Sequence, residues 1–308
     1  MYLFDLATRV AKGLRRIEAD RIERHRRFLM TQQQSDGGFR GREGDSDLYY
    51  TGFAMRALAV SGGLDVKVRE SVAGFLARQE PLQFNVIDQL SWIYGALVIQ
   101  ASGGRCLLEH QPSDFVDQVA ARLEILRTTD GGYAKSSEGT AGSTYYSFLV
   151  VLTLQMLGRS VPRPNSLIQF LYDRQRDDGG FVEIAPMRRS GTNPTAAAVA
   201  LLRVLGGMDD DIAADVLGFL SDVSGSEGGF QANSRIPFAD GLSTFTGLLT
   251  AQDLCHDDVI SEKRMHAFVC GALEREEGGF MGASWDQQAD SEYTFYGLGI
   301  LGLLSAPS

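Results

Sequence analysis

The segment SEGGFQANSRIPFADGLSTF (Ser226–Phe245) places one carboxylate, Asp240, directly before an apolar run. A carboxylate there can hold a metal ion, hand over a proton, or cap a helix. Its counterparts before the other apolar runs are Asp45 and Asp47, Asp88, Ser143, Asn193 and Asp290. Asp, Asn and Ser are favoured N-caps, and negative charge suits a helix N-terminus, so capping alone accounts for each singly. Cys255-His256 and His266-x-x-x-Cys270 have metal-like spacing. They flank and occupy an amphipathic helix, so no metal is assigned to them. His25 and His110 stand alone in charged settings. No Ser-His-Asp order, phosphate loop or nucleotide fingerprint is present.

The elements that position these residues repeat. Asp-Gly-Gly-aromatic or a close variant occurs at Asp36–Phe39, Asp130–Tyr133, Asp178–Phe181, Glu227–Phe230 and Glu277–Phe280. The second glycines, at 38, 132, 180, 229 and 279, are 94, 48, 49 and 50 residues apart, so the first gap holds two units. The missing unit is a degenerate one over Glu80–Gly104, which makes six repeats of about 48 residues. Each repeat opens with an amphipathic helix, such as the stripe Val68, Val72, Phe75, Leu76 or Ile212, Val216, Phe219, Leu220. Gly-Gly ends it, a polar loop of about ten residues follows, and a helix apolar nearly all round closes the unit. A helix apolar on every side must be buried on every side. The expectation is an all-α fold of two concentric rings, with the buried helices inside. An open solenoid is the rival arrangement.

These units, of the form GGFxGxxxDxxYTxxAxxAL, resemble the repeats of protein prenyltransferase β subunits and of squalene-hopene-type terpene cyclases. The resemblance runs from about Gln32 to Leu304 and implies an α6–α6 toroid with a central apolar cavity. It implies one domain over residues 1–308, with catalytic residues where the inner helices begin. In prenyltransferases that rim holds zinc through an Asp, a Cys two residues later and a His. Asp240 matches the Asp, but Leu242 and Tyr293 stand at the other two positions. No zinc is therefore expected, and Mg would enter only with a diphosphate. The family's diphosphate clamp maps onto loops carrying Lys135, Arg188, Arg189 and Arg235, with Arg40 and Arg42 as further candidates. Arginine pairs bidentately with phosphate oxygens, which favours Arg188 and Arg189. Protonating terpene cyclases carry Asp-x-Asp-Asp. The string DSDL matches three of those four positions, with Asp47 as the donor, Asp45 as its partner and Leu48 in place of the last Asp. Asp240 and Asp290 complete the candidate catalytic carboxylates. Aromatic residues in the first turns of the inner helices, Tyr50, Trp92, Tyr145, Tyr146, Phe245, Tyr293 and Tyr296 among them, would wall the cavity.

Bulk properties bound the function. The chain has 308 residues and a net charge of −10, which excludes a typical nucleic-acid binder and disfavours tight binding to anionic membranes. Three cysteines make no disulfide framework and fit reduced thiols in a cytoplasm. The N-terminus is amphipathic and charged, unlike a signal peptide, and no apolar run reaches membrane-spanning length. The resulting expectation is a transferase handling a C15–C20 isoprenoid diphosphate without the family zinc. A cyclase using Asp47, or a toroid that binds a lipid, another apolar ligand or a protein without catalysis, are the alternatives. A partner subunit or a second copy of the chain would fit the family.

Overall fold

The computed structural model describes residues 1–255, 259 and 261–306. Its helices are α1 (Tyr2–Leu14), α2 (Ala19–Thr31), α3 (Leu48–Ser61), α4 (Val66–Ala77), α5 (Val86–Ala101), α6 (Phe115–Ile125), α7 (Thr144–Met156), α8 (Pro164–Tyr172), α9 (Thr192–Leu205), α10 (Asp210–Asp222), α11 (Gly241–Asp253), α12 (Glu262–Phe268) and α13 (Ser291–Ser305). Among the described residues, β structure is limited to two-residue antiparallel pairs and single bridges, such as Phe39–Arg40 with Ser46–Asp47. Contacts divide the chain into two units, Met1–Val119 with Ala272–Ser308, and Ala120–Gly271.

The alternation read from the sequence is present. The even-numbered helices bury one stripe each: Val68, Val72, Phe75 and Leu76 on α4, Ile212, Val216, Phe219 and Leu220 on α10. The odd-numbered helices from α3 onward are buried nearly all round. Helix α1 precedes the first repeat and packs on α13 and α3. Asp47, Asp65, Asn85, Ser143, Asp209, Asp240 and Asp290 each accept a backbone N–H as N-caps. Each such cap contributes about 1 kcal/mol. Two expected caps shift: Asn85 rather than Asp88 caps α5, and Gly191 rather than Asn193 is the N-cap of α9, without a side-chain bond.

The Gly-Gly-aromatic motif is a latch. Its aromatic side chains, Phe39, Tyr133, Phe181, Phe230 and Phe280, are buried. Each aromatic N–H donates to a hydroxyl one turn into the following helix, namely Thr51, Ser147, Thr195, Thr244 and Thr294, at 2.8–3.2 Å. The motif's acid holds the loop: Asp178 accepts from Gly180 N and Ser190 Oγ, and Asp130 from Gly132 N and Gly142 N. The first glycine has positive φ, and a Cβ on Gly37 would lie 2.2 Å from the Ser71 carbonyl of the next even-numbered helix. Only glycine fits both constraints. In the degenerate repeat the hydroxyl position is Gln89, buried, and its Nε2 has no hydrogen-bond partner. This repeat lacks the Gly-Gly-aromatic loop whose N–H bonds this position in the others.

The first unit contains the first repeat and, from the last, its latch and α13. Helix α13 packs on α3, and Gly278 of the last latch nests against the Arg24 carbonyl of α2. The first and last repeats are thus neighbours, not the two ends of an open stack. Buried His25 of α2 ties them further. Its Nδ1 accepts from Gly279 N at 3.0 Å, so its Nε2 carries the proton and donates to Glu274 at 3.1 Å. The imidazole stacks on Phe280 with ring centroids 4.6 Å apart.

Candidate functional site

In the first unit, the starts of α3 and α13 come together. Asp47 caps α3 through Tyr50 N at 2.7 Å, and its side chain is exposed. Partial desolvation raises its pKa, and the nearby charge is Asp88 rather than the expected Asp45. Asp45 is exposed. Asp290 caps α13 through Tyr293 N at 2.9 Å and is buried, which raises its pKa. The Arg42 guanidinium lies across it, Nε to Asp290 at 2.9 Å and Nη1 to Asp286 at 2.8 Å. Arg42 is therefore committed to two carboxylates and corrects its expected place as a phosphate ligand. Its cation also lies 5.9 Å from the Tyr293 ring centroid.

Two residues on from Asp290, in the first turn of α13, is a carboxyl that the sequence reading overlooked. Glu292 Oε1 accepts from Tyr49 Oη at 2.8 Å and from Tyr296 Oη at 3.4 Å. Burial raises its pKa, aided by the Asp290 charge and opposed by the phenol hydrogen bonds. Around it stands an aromatic cluster. Tyr49 meets Phe53 edge-on at 5.0 Å, and Phe53 lies 5.4 Å from Tyr296 and 5.8 Å from Phe295. Tyr50 packs edge-on to Tyr49 at 5.3 Å. Beyond Phe53, Arg56 sits 5.0 Å from the ring centroids of both Phe53 and Tyr94. Tyr94 in turn lines a cavity of about 490 Å³ between α1 and the C-terminal halves of α3 and α5. The other walls include Phe4, Ala11, Val60 and Val98, with Lys12 and Arg15 beside them. The clue to Glu292 was an acid inside an otherwise apolar helix. A first-turn acid is also what a helix dipole favours, so it did not stand out.

Trp92 corrects the expected lining. It is fully buried, donates Nε1–H to the Leu76 carbonyl at 2.9 Å and packs on Phe115. It fills the degenerate repeat's core and meets no ligand space.

The second unit holds Asp240, Tyr145, Tyr146 and Phe245. Asp240 accepts from both Ser243 N and Ser243 Oγ at 2.7 Å, while burial raises its pKa. Its neighbour Leu242 supplies no donor, so these residues do not fit a zinc centre. Among the described residues no three His, Cys, Asp or Glu side chains gather as a ligand set. Cys270 and His266 touch on and just beyond α12, and His256 lies outside the described residues. Glu183, also missed in the sequence, accepts from Ser143 Oγ and Tyr145 N, and burial raises its pKa. Tyr145 and Tyr146 pack edge-on at 5.6 Å, with Tyr145 exposed and Phe245 buried. Lys135, Arg188 and Arg235 lie exposed on loops, with Arg189 half-buried. Hydrogen bonds from Thr192 to Ala232 and Gln231 bring the Arg188–Arg189 and Arg235 loops side by side.

The sequence matches the model of the prenyltransferase alpha-alpha toroid domain over residues 8–77 and 76–308. The chain belongs to that family, and the expected toroid fold holds. Among solved structures it is similar to Candida albicans protein geranylgeranyltransferase-I complexed with GGPP, at 14% identity and a TM-score of 0.67, covering 90% of this chain and 89% of that one. It is similar to the type II terpene cyclase MstE from Scytonema, at 14% identity and a TM-score of 0.62, covering 96% and 98%. A protein from Actinoplanes matches at 13% identity and a TM-score of 0.62, covering 94% and 98%. At these identities the likeness concerns the fold. No curated protein matches the sequence. Among the described residues no helix is long and apolar enough to cross a membrane.

Proposed function

We propose that the chain cyclises an isoprenoid by protonation, with Glu292 as the acid. The observation that supports this is a half-buried carboxyl set among tyrosine and phenylalanine rings. Both phenols donate to Oε1, and no hydrogen bond reaches Oε2 among the described residues. The acid proton therefore belongs on Oε2. It passes to the less substituted carbon of the chain's terminal double bond, whose π pair forms the new C–H bond and leaves a tertiary cation. The next double bond attacks that cation and closes a ring. A final C–H loss restores a double bond and returns a proton to the carboxylate, so the product is an isomer of the substrate. Aromatic faces stabilise the cation through the ring quadrupole. A cavity of about 490 Å³, within the range of small-ligand pockets, lies at the C-terminal halves of α3 and α5, with Arg56 and Tyr94 standing between it and the Phe53 ring. Asp47, exposed at its cap, is the less suited acid.

The test is incubation with geranylgeranyl diphosphate and mass spectrometry of the products. Glu292→Gln keeps an acceptor oxygen for the phenols but has no acid proton. We expect a cyclised isomer from wild type, its rate reduced by about two orders of magnitude or more in Glu292→Gln. Asp47→Asn should leave it within a few fold. If Asp47→Asn abolishes the product and Glu292→Gln does not, the acid is Asp47. Diphosphate release with no cyclised isomer would instead support prenyl transfer, the reading that Arg188, Arg189 and Arg235 favour, with Mg entering with the diphosphate.

A further inference from the structure

Two adjacent loops of the second unit, 182–191 and 231–240, carry the same mixture of side chains. The first reads Glu-Ile-Ala-Pro-Met-Arg-Arg and the second Asn-Ser-Arg-Ile-Pro-Phe. Ile184, Met187, Ile236 and Phe238 are 37%, 43%, 42% and 48% exposed, unusual for large apolar residues. Arg188 and Arg235 are exposed beside them, and Arg189 is half-buried. The exposure is built into the loops. Arg176 holds the first from beneath, donating to the Met187 carbonyl at 3.1 Å and the Ala185 carbonyl at 2.9 Å. Asn233 turns the second, accepting from Arg235 N at 3.0 Å, with Ile236 N donating back to the Asn233 carbonyl at 3.1 Å. The two carboxylates of these loops are engaged: Glu183 on Ser143 and Tyr145 N, Asp240 on Ser243. Together the two loops carry three arginines against these two carboxylates, on a chain whose net charge is −10.

We propose that these loops dock the protein on a bilayer surface carrying anionic headgroups. Loop-tip Ile, Met and Phe side chains enter the headgroup–acyl boundary while the arginines meet lipid phosphates. A folded partner protein fits less well. A stable protein interface wants about 800 Å² per side with a packed apolar centre, whereas here four side chains stand on two loop tips. The net negative charge elsewhere would let one face alone approach an anionic surface. This inference does not depend on the acid assigned above.

Sedimentation with phosphatidylcholine vesicles, with and without phosphatidylserine, tests it. Wild type should pellet with the phosphatidylserine vesicles and be released by high salt. Arg188→Gln/Arg189→Gln/Arg235→Gln should weaken partitioning by about 100-fold, at about 1 kcal/mol per arginine. Ile236→Ser/Phe238→Ser should weaken it roughly tenfold. All five positions lie on loops outside the core, and circular dichroism verifies that the variants fold. Absence of wild-type binding, or variants that bind like wild type, overturns the proposal. So does inorganic diphosphate binding that the arginine variant loses while vesicles bind nothing, since the phosphate is then soluble. Self-association lost in Ile236→Ser/Phe238→Ser without vesicle binding would assign the patch to a second copy of the chain, and overturn it likewise.

Discussion

At the residue scale, the candidate chemistry depends on which carboxyls the fold desolvates. Asp47 and Glu292 both begin helices, yet one is exposed at a cap and the other lies among rings. Glu292 holds its proton more tightly in the folded chain than in the unfolded one. Its contribution to stability is therefore fully present below the ordinary value of 4.5 and is lost as pH rises through the folded value. Glu292→Gln removes that ionisation. The difference in Tm between Glu292→Gln and wild type should become more positive from about pH 4 to about pH 7. Thermal unfolding by circular dichroism at both values measures it, and a difference that stays constant or reverses would show that the carboxyl is not desolvated. Arg42 makes the converse point. An arginine facing an aromatic cluster looks like a phosphate ligand until Asp286 and Asp290 are seen to hold it.

At the element scale, each repeat depends on one small bond. The aromatic N–H of the latch is buried, and a hydroxyl of the following helix is its acceptor. Thr244→Val preserves shape and removes the acceptor for Phe230 N. The expected cost is about 1–3 kcal/mol, the penalty for a stranded buried donor. Urea unfolding reads it, and a loss well under 0.5 kcal/mol, on the order of a surface change, would show that the latch is held by packing alone. The degenerate repeat shows the other side of this rule. There the Gly-Gly loop is missing, buried Gln89 stands at the hydroxyl position with its Nε2 unpaired, and Trp92 is buried against Phe115 instead.

At the scale of the molecule, the first unit joins the two ends of the sequence. His25 and Glu274 are 249 residues apart and meet in a buried cluster with Arg21. Burial alone would raise the Glu274 pKa, but hydrogen bonds from His25 and Arg21 overrule it and bring it to about 2. Its stabilisation is therefore present above the ordinary value of 4.5 and is lost as pH falls toward about 2. His25→Ala removes the acceptor for Gly279 N and a donor to Glu274, at an expected cost of about 3 kcal/mol. Hydrogen exchange should rise in both α2 and α13. Faster exchange confined to α2 would mean that the last repeat is held without this cluster.

The sequence by itself determined the repeats, the alternation of striped and fully apolar helices, most of the caps and the family. These follow from spacings within one unit of about 48 residues, where helix period, glycine and capping chemistry act locally. Tertiary structure alone decided which polar side chains share a site. Tyr49 meets Glu292 across 243 residues, and Arg42 meets Asp286 across 244. It also buried Trp92 and left Ile236 and Phe238 exposed. Burial and charge pairing depend on which helices become neighbours, and no local period records that.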